Sequence, residues 1–347
     1  MRTPHLSDVV RHRLRSAAGA LGTADPTPVV GQLIDRSFEL APGDERYGTN
    51  TLTPGTAPFE PSFSEREPRV LRFTIEPMGP QSSAGARRDE ATREMRRLVG
   101  PTFGREALRW FDQRSEEWRS FGGSMGLDYG AWFGSAFDNG GLQAAKVYYE
   151  LQRSQLGALS PALTRLVATV TEAIPSLYPV FTSIACGRDR GHQRVTFVSR
   201  GPLRLVSLDP LVQRLGLSGQ LPGLMQVIGV ALGGRFELPA RSVLLGVGET
   251  PEGPEIKLEV MLGMIPDLPA SFLDLLALGL AERPRQLRAM SDWLKAFTPE
   301  GASEPGQFSV LSVRITPRSS ARVSLYLRPV EFEISGAGVV SPTPMYV

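Results

Sequence analysis

Leu71-Arg72-Phe73-Thr74-Ile75-Glu76 decides the fold, because its side chains change character at every step. Along a strand, side chains point to opposite faces with a period of two, so Leu71, Phe73 and Ile75 share an apolar face while Arg72, Thr74 and Glu76 share a polar one. The same alternation returns further along the chain. Lys146 and Tyr148 stand opposite Val147 and Tyr149, and Arg194 and Thr196 oppose Val195 and Phe197. Lys257, Glu259 and Met261 oppose Leu258, Val260 and Leu262, and Arg322, Ser324, Tyr326 and Arg328 oppose Val323, Leu325 and Leu327. Each copy carries a cation on its polar face, at intervals of roughly 50 to 75 residues, which reads as one unit repeated.

The repeated unit is a hairpin followed by a helix-length stretch with apolar periodicity. An early strand over 58–64 partners the strand over 69–76, and a helix over 88–120 follows, with Met95, Leu98, Leu108, Phe111 and Trp118 on its stripe. Strands are expected over 125–133 and 144–151, then a helix over 161–174, then strands over 180–186 and 193–199. A helical stretch over 208–232, broken near Pro222, leads to strands over 241–248 and 255–262, with Pro and Gly in the intervening turn. A last helix over 270–297 precedes strands over 307–315 and 321–333. Residues 1–50 form a lead-in with an amphipathic surface helix at its start, residues 334–347 form a tail, and residues 1–347 make one domain.

The apolar face of every strand needs cover, and the helices between hairpins are the only material for it. Ten antiparallel strands covered on one side remove their exposed edges by closing into a barrel, which places the cations in a polar lumen. The plain alternative is an open sheet whose polar face meets water. Like charges on neighbouring strands repel one another unless an anion holds them, so a cation on every unit points to a polyanionic ligand such as a diphosphate.

Bulk properties narrow the partners. The net charge of +2 supplies no field for nucleic acid or an anionic membrane, and no stretch reaches the ~18 to 20 apolar residues of a membrane span. With 41% hydrophobic and 21% charged residues the 347-residue chain reads as soluble and globular. One cysteine, Cys186, and three scattered histidines exclude a disulfide framework and an imidazole or thiolate metal cage, and fit a reducing cytoplasmic compartment.

Pro58-Phe59-Glu60-Pro61-Ser62 followed by Leu71-Arg72-Phe73-Thr74-Ile75-Glu76-Pro77-Met78-Gly79 resembles the early signature of the dimethylallyltryptophan synthase family of aromatic prenyltransferases. Lys146-Val147-Tyr148, Lys257 and Arg322-Val323-Ser324-Leu325-Tyr326 fall where that family carries its later strand motifs, so the chain resembles a bacterial-like member from about residue 51 to 333. The resemblance implies an α+β prenyltransferase barrel (αββα, ABBA) and transfer of a dimethylallyl or longer prenyl group from its diphosphate to an indole or other electron-rich aromatic. It implies no cofactor and no required metal. The chain itself has no Asp-Asp-x-x-Asp cluster to hold magnesium against a diphosphate. The expected partners are a prenyl diphosphate and a small aromatic acceptor, with the protein a monomer or homodimer.

Site roles follow. Arg72, Lys146, Arg194, Lys257 and Arg322 are the candidates for holding pyrophosphate, and Tyr148 and Tyr326 match the family's shield around the allylic cation. Glu60 matches the family's acidic residue, which hydrogen-bonds the acceptor and helps to remove its proton. Glu76, on the same parity as Arg72, could pair with it. Two departures stand out: Arg194 is followed by Thr196 and Val198 where the family shows Lys and Tyr, and Glu259 occupies a typical tyrosine position. Glu259 would repel a donor unless it is paired or faces the acceptor, where it could serve as a second base. A wider donor pocket, an unusual acceptor, or a barrel that binds a small molecule without catalysis are all compatible with these departures.

Overall fold

The computed structural model describes residues 5–120 and 126–334. The expected starts of the first helix (1–4) and of the strand at Met125, and the tail beyond Ile334, lie outside the described residues. Among the described residues there are twelve strands: β1 (Phe59–Ser64), β2 (Leu71–Ile75), β3 (Ala131–Asp138), β4 (Gly141–Glu150), β5 (Leu177–Gly187), β6 (Gly191–Ser199), β7 (Leu203–Arg204), β8 (Glu237–Leu238), β9 (Val243–Thr250), β10 (Gly253–Met261), β11 (Gly306–Thr316) and β12 (Ser319–Pro329). β7 and β8 pair with each other outside the main sheet. The other ten form a closed antiparallel barrel in sequence order, shut by β1 against β12 through Ser62–Tyr326, Phe63–Leu325 and Ser64–Ser324. Closure disposes of the open-sheet alternative.

Helices α1 (Leu6–Leu21), α2 (Thr27–Ser37), α3 (Ala84–Phe103), α4 (Arg105–Ser120), α5 (Pro161–Ala173), α6 (Asp209–Arg214), α7 (Leu221–Ala231), α8 (Phe272–Gly279) and α9 (Pro284–Phe297) ring the barrel. Their apolar stripes cover the outward strand residues. Phe73, Val147, Val195, Leu258 and Leu325 are all buried in one cluster with Met95, Phe111, Leu163, Leu224 and Trp293 of the helices. The core therefore lies between sheet and helices, and the lumen is the wetter side; along β12 buried and half-buried residues alternate strictly from Ala321 to Pro329. α1 packs against α9, and Arg13 of α1 donates to Glu331 just beyond β12, tying the start of the chain to the end of the barrel.

Several expected elements are corrected. The helix over 88–120 is two helices, broken at Gly104, whose φ of 94° no L side chain adopts readily. The helix over 270–297 is likewise two, because Pro284 starts a new one. The stretch over 208–232 breaks at Gly216 (φ 68°), before Pro222, which sits in the first turn of α7. The strand over 125–133 runs instead from Ala131 to Asp138, turning through Asn139-Gly140, a tight-hairpin dipeptide that the apolar alternation alone passes over.

Candidate active site

The second strand of each hairpin brings its cation into the lumen, and its neighbours leave room for it. Arg72 lies between Ser62 and Ala136, Lys146 between Gly134 and Ala185, and Arg194 between Ser183 and Gly248. On β9 the lack of a side chain at Gly246 and Gly248 is a steric requirement. A β-carbon on Gly246 would stand 2.4 Å from Arg194 Cδ, and one on Gly248 would stand 3.0 Å from His192 Nε2.

All five expected cations line one cavity of about 570 Å³, together with Arg66, Arg188, Arg190 and Arg314, which the sequence reading passed over. Arg314 sits on β11 in register with both Lys257 and Arg322. Its place on the first strand of a hairpin, preceded by Val313 and followed by Ile315, was the available signal.

The cations are not simply waiting for an outside anion, which corrects the repulsion argument. Arg72 pairs with Glu67; Arg194, Arg314 and His192 converge on fully buried Glu255; Lys257 Nζ donates to Glu259 Oε1 at 2.6 Å; and Arg322 Nη1 donates to Glu65 Oε1 at 3.0 Å. Burial pushes the Glu255 carboxyl up, but Arg194, His192 and Arg314 outweigh it and hold it well below the usual carboxylate range. Lys146 differs from the other four. It makes no ion pair or hydrogen bond with any described residue, and its Nζ rests 4.1 Å from the centroid of the Tyr148 ring. Burial, then repulsion from Arg194 and Lys257, holds its ammonium well below lysine's ordinary value. This half of the lumen keeps a positive excess: nine lysine and arginine side chains line it, against the lining carboxylates Glu67, Asp138 and Asp189 and the counter-ions Glu65, Glu255 and Glu259.

Thr74, Tyr148 and Tyr326 belong to this cavity and also to a second one at the opposite end of the lumen. The second chamber is apolar and aromatic: Trp132, Phe181, Leu244 and Met261 wall it, with Tyr129 stacked on Trp132 at 4.2 Å. Tyr148 meets Trp132 and Phe181 edge-on at 6.3 and 5.9 Å. These walls come mostly from the first strands of the hairpins, whose inward parity was never assigned from the sequence. Val198, on the departing third unit, joins the same apolar cluster.

Two carboxylates enter this chamber, Glu60 from β1 and Glu259 from β10. Ser309 Oγ donates to Glu60 Oε1 at 2.7 Å, and burial pushes the Glu60 carboxyl up to about 7. Burial raises Glu259 as well, but Lys257, then Lys146 and Arg194, outweigh it and hold the group below the usual range. Tyr326, which accepts from Lys257 Nζ at 2.6 Å, has its phenol pushed well up by burial, as has Tyr148. Glu259 is thus both paired and turned toward the aromatic chamber. Glu76, in contrast, pairs with Arg87 at 3.1 Å and accepts from Thr51 N at 2.8 Å, not from Arg72. Its role is to anchor the loop whose Thr51 hydroxyl accepts from Trp132 Nε1 at 2.9 Å.

A cation-rich chamber and an aromatic chamber that share a tyrosine wall can hold a polyanion at one end and a flat apolar molecule at the other. Among the described residues no group of three His, Cys, Asp or Glu side chains is placed to hold a metal, and no helix is long and apolar enough to cross a membrane.

A closed barrel of ten antiparallel strands around a polar lumen, with helices outside, is the prenyltransferase (ABBA) barrel. The chain is similar to solved structures of that architecture: the prenyltransferase PriB (18% identity, TM-score 0.70, 95% of this chain and 98% of that one) and 5-dimethylallyltryptophan synthase from Streptomyces coelicolor (17%, 0.70, 95% and 99%). It is also similar to 6-dimethylallyltryptophan synthase from Micromonospora olivasterospora, solved in complex with DMASPP and Trp (15%, 0.71, 96% and 99%). No protein-family model and no curated protein matches the sequence, so the likeness is one of fold.

Proposed function

We propose that the protein is an aromatic prenyltransferase, moving a dimethylallyl or longer prenyl group from its diphosphate to an indole or other electron-rich aromatic without a required metal. The observation that carries this reading is the shared wall. Tyr148 and Tyr326 separate a cationic chamber from an aromatic one that contains a carboxylate of raised pKa, Glu60. The solved structures similar in fold include a PriB ternary complex with L-tryptophan and dimethylallyl thiolodiphosphate, a pair of ligands of the same two kinds.

On this reading the allylic C–O bond breaks with its electron pair leaving on pyrophosphate, whose growing charge is stabilised by Lys146, Arg72, Arg194, Lys257 and Arg322 in place of a metal. The allylic cation is left between Tyr148 and Tyr326, whose π-faces stabilise it and exclude water. The acceptor ring attacks with a π-electron pair, and the displaced ring proton restores aromaticity by passing to the Glu60 carboxylate. On this reading the barrel is a single domain acting in the cytoplasm.

The test is mass spectrometry of reactions in EDTA that pair dimethylallyl, geranyl and farnesyl diphosphate with tryptophan, tyrosine, cyclic dipeptides and hydroxylated polycyclic aromatics. A prenylated product supports the reading. Donor binding without product from any pair would instead favour a barrel that binds a small molecule without catalysis.

A further inference from the structure

The two carboxylates of the aromatic chamber specify more about the acceptor than the barrel does. Each has one oxygen engaged and one free. Glu60 Oε1 accepts from Ser309, and Glu259 Oε1 accepts from Lys257, while the second oxygen of each makes no hydrogen bond with any described residue. Both side chains line the aromatic chamber. A bound molecule that displaces water from these oxygens keeps their hydrogen bonds only if it supplies donors of its own.

We propose that the acceptor is an aromatic with two neutral hydrogen-bond donors, one O–H or N–H for Glu60 and a second for Glu259, as in dihydroxyaromatics and hydroxyindoles. This deepens the prenyl-transfer reading and rests on it. Trp132, Leu244 and Met261 wall the chamber that the two carboxylates enter, and such an apolar wall suits an aromatic nucleus. The charge around Glu259 favours a neutral second group. Its carboxylate is already paired with Lys257 at 2.6 Å, and Lys146 and Arg194 also act on it, so an ammonium placed there would meet these cations as well as the carboxylates of Glu259 and Glu60. A hydroxyl or ring N–H gives the free oxygen its donor without that repulsion. Glu259 is on this account a specificity-determining residue, and its position two residues beyond Lys257 on the same strand face lets it face the aromatic chamber while pairing with a cation of the other.

The test compares matched acceptors with dimethylallyl diphosphate as donor: naphthol against the dihydroxynaphthalene isomers, and indole against the hydroxyindole isomers. In the unsubstituted protein at least one two-donor isomer should exceed its single-donor parent in kcat/KM by roughly tenfold or more, mainly through a lower KM. Glu259→Leu should abolish that ratio, and Glu259→Gln, whose amide oxygen can still accept, should restore part of it. Because ratios within one variant are compared, a general loss of activity does not obscure the result, and the Gln variant covers a Leu variant that does not fold. Product formation without preference for any two-donor isomer, or a preference retained in Glu259→Leu, overturns this inference alone. No product from any acceptor overturns the prenyl-transfer reading together with it.

Discussion

The Arg194 side chain lies across the backbone of Gly246 on the neighbouring strand, where any β-carbon would stand 2.4 Å from its Cδ. That contact fixes the route by which the guanidinium reaches Glu255, and Glu255 in turn gathers Arg314 and His192. Gly246→Val should displace Arg194 and leave a fully buried carboxylate short of its main partner. The expected loss is about 3 kcal/mol of stability, the usual cost of breaking a buried ion pair from one side. Denaturant unfolding of the variant checks it, and an unchanged midpoint would show that the arm has another route.

Glu60 should set the pH dependence of the reaction. Its carboxyl is pushed up to about 7 by burial, so it is protonated below that value and available as a base above it. On the proposed reading kcat rises with pH through about 7, and Glu60→Gln loses both the rise and most of the product while retaining donor affinity. The linked stability has the opposite sign. The folded protein holds this proton more tightly than the unfolded chain, so the contribution is full below the unfolded value of 4.5 and is lost as pH rises through about 7, on the order of 3 kcal/mol. Glu60→Gln should therefore flatten the fall in unfolding free energy between those values.

Lys146 carries the least compensated charge among the five cations. Lys146→Met should raise the stability of the ligand-free protein near neutral pH, because it removes a buried group without an ion-pair partner among the described residues, while abolishing stabilisation by a prenyl thiolodiphosphate. Its ammonium is held below lysine's ordinary value, so between the two values the unfolded chain binds more protons and wild-type stability rises with pH. The Met variant should lack that slope. Thermal melts across pH, with and without the analogue, read all of these effects.

The other cations are tethered to differing degrees, and donor affinity should follow the tether. Arg322 is held by Glu65, a fully buried carboxylate that also accepts from Val323 N at 2.9 Å and pairs with Arg283. Arg72 is paired with Glu67, which is half exposed and can turn aside. Lys146→Ala should weaken thiolodiphosphate binding most, Arg72→Ala less, and Arg322→Ala least, as measured by calorimetry. The reverse order would show that protein carboxylates do not compete with the donor for these side chains.

Much of this was legible in the sequence because a barrel with a polar lumen prints a period of two on every strand. Arg72, Lys146, Arg194, Lys257 and Arg322 all reach one cavity, and Tyr148 and Tyr326 stand at its border, as parity required. Parity says where a side chain points and nothing about its partner, which is why Glu65, Glu67 and Glu255 went unnoticed as counter-ions and Glu76 was matched with the wrong arginine. The aromatic chamber was missed for another reason. Trp132, Phe181 and Leu244 lie on strands that are apolar on both faces, where hydrophobic alternation gives no signal. Helix breaks at Gly104 and before Pro284 depended on single backbone-specialised residues inside otherwise continuous apolar periodicity.

On the proposed reading, side-chain cations of the lumen hold a prenyl diphosphate without a metal. Isothermal calorimetry of dimethylallyl thiolodiphosphate binding in EDTA tests it most directly, with wild type and Lys146→Ala side by side. Saturable binding that is unaffected by EDTA and lost or strongly weakened in Lys146→Ala is the predicted result. No binding in EDTA followed by binding on addition of magnesium, or equal affinity in the two proteins, would contradict it.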